Sequence, residues 1–297
     1  MIRLENDGYT LELDARGALV RLVDRGGGGE LIADRRLAES FRLLLPLPGL
    51  ACHEIHGNAQ AAPRSEATAT EATLRWDGPL HSAAGAFDLG VVLHIRLADD
   101  AVHFSCTVRN GTAHPLAEVW FPILGGMRGL GPEAGRRDTA ALLPQVNGAW
   151  QQPLFRDFGN TRGETLGVTG VEHSFFYPGT MSMPWLCLYH PELDRALTFA
   201  ALEETPRVKL VRLALDPGAA AQRDGDSVPE ADEVDGFPFG LSLSWTHVPY
   251  TKPGETFHSA EFVVRGHAGD WRAAAAWYRG WFAAHFPVVA PGSTWMR

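Results

Sequence analysis

The sequence predicts an all-β fold, a large two-layer antiparallel sandwich followed by one C-terminal helix. Three observations carry this. Apolar and polar residues alternate with period two from the first residues. About a dozen strand-length segments succeed one another between turn signals, and helical periodicity is nearly absent before residue 269. Strands with one apolar face each need a second layer to cover them, hence a sandwich.

The first element pairs Tyr9, Leu11 and Leu13 on one face with Thr10, Glu12 and Asp14 on the other. Ala15-Arg16-Gly17 then turns the chain into Leu19-Val20-Arg21-Leu22-Val23, a strand–turn–strand unit. The clearest hairpin is central. Phe87, Leu89, Val91, Leu93, Ile95 and Leu97 form one apolar face, and after residues 98–101 the phase resumes with Val102, Phe104, Cys106 and Val108. Further strands are expected at 73–76, 118–124, 185–189, 196–202, 208–213, 239–246 and 257–264. Residues 125–183 keep no period, are rich in Gly, Pro and scattered aromatic residues, and are expected to form long functional loops. The helix comes last. Asp270 is a good N-cap, and Trp271, Ala274, Tyr278, Trp281 and His285 share a face at helical spacing before Pro287. Its aromatic residues require a packing partner, either the sandwich or something that follows.

Composition narrows the function classes. The 297 residues are 45% hydrophobic and 21% charged, an ordinary globular mixture. A net charge of −9 with only two lysines, Lys209 and Lys252, argues against binding a phosphate backbone. No apolar run reaches the ~20 residues that span a bilayer, and the N-terminus lacks a signal-peptide pattern, so a cytoplasmic protein is expected. Cys52, Cys106 and Cys187 are widely spaced and support neither a disulfide framework nor a zinc ribbon. No Walker loop, dinucleotide fingerprint or Gly-x-Ser-x-Gly elbow is present, and no cofactor is expected. His53 and His56 flank Glu54 at a suggestive spacing but lack the His-Glu-x-x-His register of a zinc helix. The acidic stretch 224–235 does not follow a calcium-loop order and reads as a solvated loop, so no metal is expected.

Several segments resemble a known family. Leu11-Glu12-Leu13-Asp14-Ala15-Arg16-Gly17-Ala18-Leu19-Val20-Arg21-Leu22 is similar to the first hairpin of galactose-mutarotase-like supersandwich domains, and Lys252-Pro253-Gly254-Glu255-Thr256 to a late turn of the same domains. Met181-Ser182-Met183-Pro184-Trp185-Leu186-Cys187-Leu188-Tyr189 and the closing Gly266-His267-Ala268-Gly269-Asp270-Trp271, with Trp277-Tyr278-Arg279-Gly280-Trp281, resemble bacterial proteins in which such a supersandwich precedes a glycoside-hydrolase-like (β/α)₈ barrel. The resemblance implies a supersandwich over residues 1–268 and a linker helix over 269–297 that opens a domain absent from this chain. It implies a carbohydrate-associated, non-catalytic part that braces a C-terminal barrel, or a partner subunit, and shapes a sugar cleft.

The same resemblance supplies two alternatives. His173-Ser174-Phe175-Phe176 is similar to the histidine motif of aldose epimerases, and Glu255 stands where that family carries its base. A stand-alone epimerase would use His173 as proton donor and Glu255 as acceptor. A structural β-domain without ligand is the other alternative. For a sugar site, Trp150, Trp185 and Tyr250 offer flat faces, with Arg156 and His173 as polar partners, although Trp185 also fits a core position.

Overall fold

Two ten-stranded antiparallel sheets pack face to face in the computed structural model, which describes residues 1–32, 35–46, 54–98, 100–127, 129–131, 138–154, 171–216, 233–234, 237–238 and 240–286. The first sheet runs in the order Ile2–Glu5, Tyr9–Leu13, Leu19–Asp24, Gly29–Ile32, Glu118–Met127, Gly240–His247, Lys209–Asp216, Val171–Tyr177. The short strands Arg42–Leu44 and Glu54–His56 extend it beside Glu118–Met127. The second runs Gly148–Pro153, Ala140–Gln145, Trp185–His190, Arg195–Leu202, Glu261–His267, Val102–Asn110, Leu89–Leu97, Glu71–Trp76, Arg64–Ala67, with Thr256–His258 also on Val102–Asn110. Each sheet's inward phase fills one continuous core, including Leu11, Leu43, Val119, Val211 and Trp245 from the first and Leu93, Phe104, Leu186, Phe199 and Phe262 from the second. The expected alternation in Leu89–Leu97 and Val102–Asn110 is this inward phase, in register from Leu89↔Asn110 to Leu97↔Val102.

The stretch 125–183 departs from its expected loop character. It contains the hairpin Ala140–Gln145/Gly148–Pro153 and the strand Val171–Tyr177. Alternation fails there because Ala140, Ala141, Leu142 and Leu143 are buried on both faces, so the strand reads as a plain apolar run.

The helix Trp271–His285 explains that second buried face. Asp270 caps it, its side chain accepting from the Arg272 backbone N–H at 2.8 Å. Ala274 and Tyr278 are buried, and Trp271, Ala275, Trp281 and Phe282 pack beside them against Ala140, Leu142, Trp185, Cys187, Tyr189, Ala196 and Ala200 of the second sheet. The apolar stripe expected to need a partner therefore finds it in the protein's own sandwich. No helix among the described residues is long and apolar enough to cross a membrane.

Candidate functional site

The first sheet's outer face carries the site. Leu43, Val119, Phe175, Val211 and Trp245 point into the core. Their chain neighbours must therefore point outward. Strand register then lines up His56, Arg42, Trp120, Thr246, Leu210 and Phe176, one from each of six adjacent strands. At ~4.8 Å per strand this row is roughly 24 Å long. A second row, two residues along, aligns Ser244, Arg212 and Ser174.

The polar end of the row is tightly connected. The Arg42 guanidinium lies 4.5 Å from the Trp120 ring and that of Arg212 lies 4.0 Å from it, one from each side of the Trp120 strand. The Trp120 indole N–H donates to Glu118 Oε2 at 2.7 Å. Glu39 binds Arg42 at 2.8 Å through Oε2 and His56 Nδ1 at 2.7 Å through Oε1, while His56 Nε2 meets Glu54 Oε2 at 3.2 Å. Two glycines allow Glu39 to reach this place. A methyl on Gly125 would overlap the Leu37 carbonyl oxygen, and one on Gly57 would overlap Ser40 Oγ, so the segment before Arg42 closes onto the sheet only because both lack a side chain.

Electrostatics follow from these contacts. Hydrogen bonds from Glu39 and then Glu54 push the His56 imidazole up to about 9, against the effect of burial. Burial works to raise the Glu39 carboxyl, but the His56 and Arg42 hydrogen bonds outweigh it and hold it below its usual value. The stability due to His56 is thus full below pH 6.5 and is lost as the pH rises through about 9. That due to Glu39 is present above pH 4.5 and is lost as the pH falls through its depressed value. An NMR titration of the His56 ring should show a midpoint near 9, moving down toward 6.5 in Glu39→Gln. A wild-type midpoint at the ordinary imidazole value would show that the pair does not persist in solution.

Thr246 differs from its neighbours. Its side chain is buried in the middle of the row, and Oγ1 has no hydrogen-bond partner among the described residues. A buried hydroxyl in this condition costs ~1–3 kcal/mol.

The residues expected from sequence lie elsewhere. His173 points inward, its ring 4.9 Å from Trp150 and 6.2 Å from Phe175, where strand Val171–Tyr177 approaches strand Gly148–Pro153. Trp150 is half-buried against the core in the same cluster. Glu255 is exposed, its carboxylate accepting from the Lys252 backbone N–H at 3.2 Å in the turn before Thr256–His258. That strand joins the second sheet at Val102–Asn110, five strands along from Gly148–Pro153, so the structure does not bring His173 and Glu255 together. Trp185 is a correction: it is 5% exposed and packed under the helix, which leaves no face for a ligand. Tyr250 is exposed, with φ of 46°, three residues past the end of strand Gly240–His247. Arg156, His53 and most of the acidic stretch 224–235 lie outside the described residues. Among the described residues no group of three or more His, Cys, Asp or Glu side chains could hold a metal ion. The glutamate and histidine at 54 and 56, noticed for metal spacing, belong instead to the ion-paired end of the row. The signal that sequence reading passed over was an arginine in the outward phase of an apolar strand, as in Phe41-Arg42-Leu43 and Val211-Arg212-Leu213.

No protein-family model matches the sequence, and no curated protein matches it. Solved structures do match. One is a putative aldose 1-epimerase from Escherichia coli K12, at 14% identity and a TM-score of 0.52, covering 90% of this chain and 98% of that one. A galactose mutarotase-like protein from Lactobacillus casei aligns at 12% identity and a TM-score of 0.54, covering 90% of this chain and 100% of that one. A TPR-domain containing protein from Parabacteroides distasonis aligns at 12% identity and a TM-score of 0.52, over 98% of this chain and 48% of that one. Ten-stranded sheets, their pairing and these alignments agree on one conclusion: the chain has the galactose-mutarotase-like supersandwich fold.

Proposed function

We propose that the outer face of the first sheet binds a neutral carbohydrate, with Trp120, Arg42, His56 and Arg212 as its contacts. The observation that carries this reading is the charge balance of a polar, partly buried cluster. Among the described residues, Arg42, Arg212 and protonated His56 stand with the carboxylates of Glu39, Glu54 and Glu118 around Trp120, three charges of each sign. Such a site has no excess charge to offset a phosphate or carboxylate on the ligand, but it is dense in donors and acceptors for hydroxyl groups. The fold relatives from Escherichia coli and Lactobacillus casei carry names that refer to aldose and galactose chemistry.

This reading keeps the carbohydrate association and does not draw on the helix, whose stripe packs against Trp185 and its neighbours, to brace a (β/α)₈ barrel. A second reading rests on the His56–Glu39 pair: a protonated imidazole beside a carboxylate is equipped to move a proton at an anomeric centre. Titration calorimetry with a panel of neutral aldohexoses is the test. At least one should bind, Arg42→Ala and Trp120→Ala should each weaken it about tenfold or more, and its 6-phosphate should bind no tighter. A panel that does not bind, or an Arg42→Ala protein that binds as the wild type does, rejects the site. NMR anomer exchange on the same sugars separates the two readings: exchange above the buffer rate that His56→Gln abolishes is catalysis, and the buffer rate is binding alone.

A further inference from the structure

The row that begins with charges ends without them. Past Thr246 it continues through Leu210 to Phe176, which is 47% exposed. Lys209 points inward and is fully buried, so Val208 before it points outward, and it too is 47% exposed. Val248 lies beside Val208, its backbone N–H donating to the Val208 carbonyl at 3.4 Å. Leu210, Phe176, Val208 and Val248 have no side-chain atom that forms hydrogen bonds. Single exposed apolar residues are common and need no explanation. These are neighbours on one face, in line with the polar cluster across Thr246 and Leu210, whose side chains are buried.

We infer that the ligand is a glycoside carrying an apolar aglycone, its sugar ring at the Arg42–Trp120 end and its aryl or alkyl group over Phe176 and Val208. This rests on the carbohydrate reading of the same face. A row of roughly 24 Å is too long for one sugar ring alone. A second sugar over the far end would leave hydroxyls desolvated against side chains that offer no partner. An apolar group loses nothing there and gains from covering two half-exposed side chains.

The test compares, by titration calorimetry, methyl and 4-nitrophenyl glycosides of the same sugars (gluco, galacto and manno, both anomers). For a sugar that binds, the nitrophenyl glycoside should bind about tenfold or more tightly than the methyl one. The double variant Phe176→Ser, Val208→Ser should reduce that advantage to about threefold or less while leaving methyl-glycoside affinity unchanged. Both positions are half-exposed, and a circular dichroism melt checks that the variant folds. Equal affinities within each pair overturn the aglycone inference and leave the sugar site standing. Absence of binding by every glycoside overturns both. Nitrophenyl binding that persists unchanged in Arg42→Ala also overturns the inference, because the ring would then adsorb without the sugar end.

Discussion

Replacing Glu203 by alanine is expected to cost ~3–5 kcal/mol of stability, because it strands a buried ammonium. Lys209 is fully buried, and its Nζ binds Glu203 and donates to the Arg207 carbonyl at 2.7 Å, with the Tyr177 ring 5.1 Å away. The Glu203 carboxylate also holds Arg207, at 2.9 Å through Nη2 and at 3.0 Å from its backbone N–H. Across the strand pair, His247 meets Phe257 and Phe262 edge to face, and burial keeps its imidazole well below the ordinary value. Without Glu203 this end of the core retains a positive charge and, among the described residues, no negative one beside it. Lys209→Met should behave differently, within about 1 kcal/mol of wild type or more stable, because Glu203 keeps Arg207 at the surface while an apolar chain fills the space.

The pH dependence distinguishes a stranded charge from a lost packing contact. Burial lowers the Lys209 ammonium from 10.5, and the Glu203 hydrogen bond opposes that shift. A lysine that binds its proton less tightly in the folded state costs stability below its folded value, and the cost fades as the pH rises toward 10.5. Glu203→Ala removes the opposing bond and deepens the cost. Urea denaturation should therefore show a large deficit at neutral pH that shrinks as the pH approaches the lysine range. A deficit that does not change with pH would mean the carboxylate acts only by filling space.

How much of this was readable beforehand depends on which strands are neighbours. Alternation in Leu89–Leu97 and Val102–Asn110 reports inward phase directly, and the Asp270 cap and Trp271–Tyr278–Trp281 spacing report the helix, because both are local properties. The site is not local. Arg42, His56, Trp120, Thr246 and Arg212 come from five strands spread between positions 42 and 246, and only the sheet order beside Glu118–Met127 makes them adjacent. Phase alone says that Arg212 faces away from Val211; it does not say that Trp120 is two strands over. A register shift between Trp120 and Ile123 conceals even that phase, by returning Ile123 to the outer face opposite Ser244. The motif at His173 lies off this outer face for a related reason. The strand Val171–Tyr177 ends the first sheet, and its odd positions close the sandwich against Trp150 rather than face outward.

Cutting the chain after Ala268 is the second large effect, and it decides whether the helix belongs to the sandwich. The outward faces of Trp185, Cys187, Tyr189, Ala140, Leu142, Ala196 and Ala200 are covered by Trp271, Ala274, Tyr278, Trp281 and Phe282. Each aromatic side chain taken from water contributes ~1.5–3 kcal/mol when fully buried and less when partly so. The helix is thus worth about 5 kcal/mol or more, against a typical total of ~5–15 kcal/mol. The shortened chain should bind a hydrophobic dye, lose most of its urea resistance and associate through the uncovered strands. Asp270→Ala, which removes only the cap, should cost about 1 kcal/mol and leave dye binding at the wild-type level. If the shortened chain instead unfolds where the full chain does and binds no dye, the helix is a dispensable appendage, its aromatic stripe is free for another domain, and residues 1–268 stand as a unit of their own.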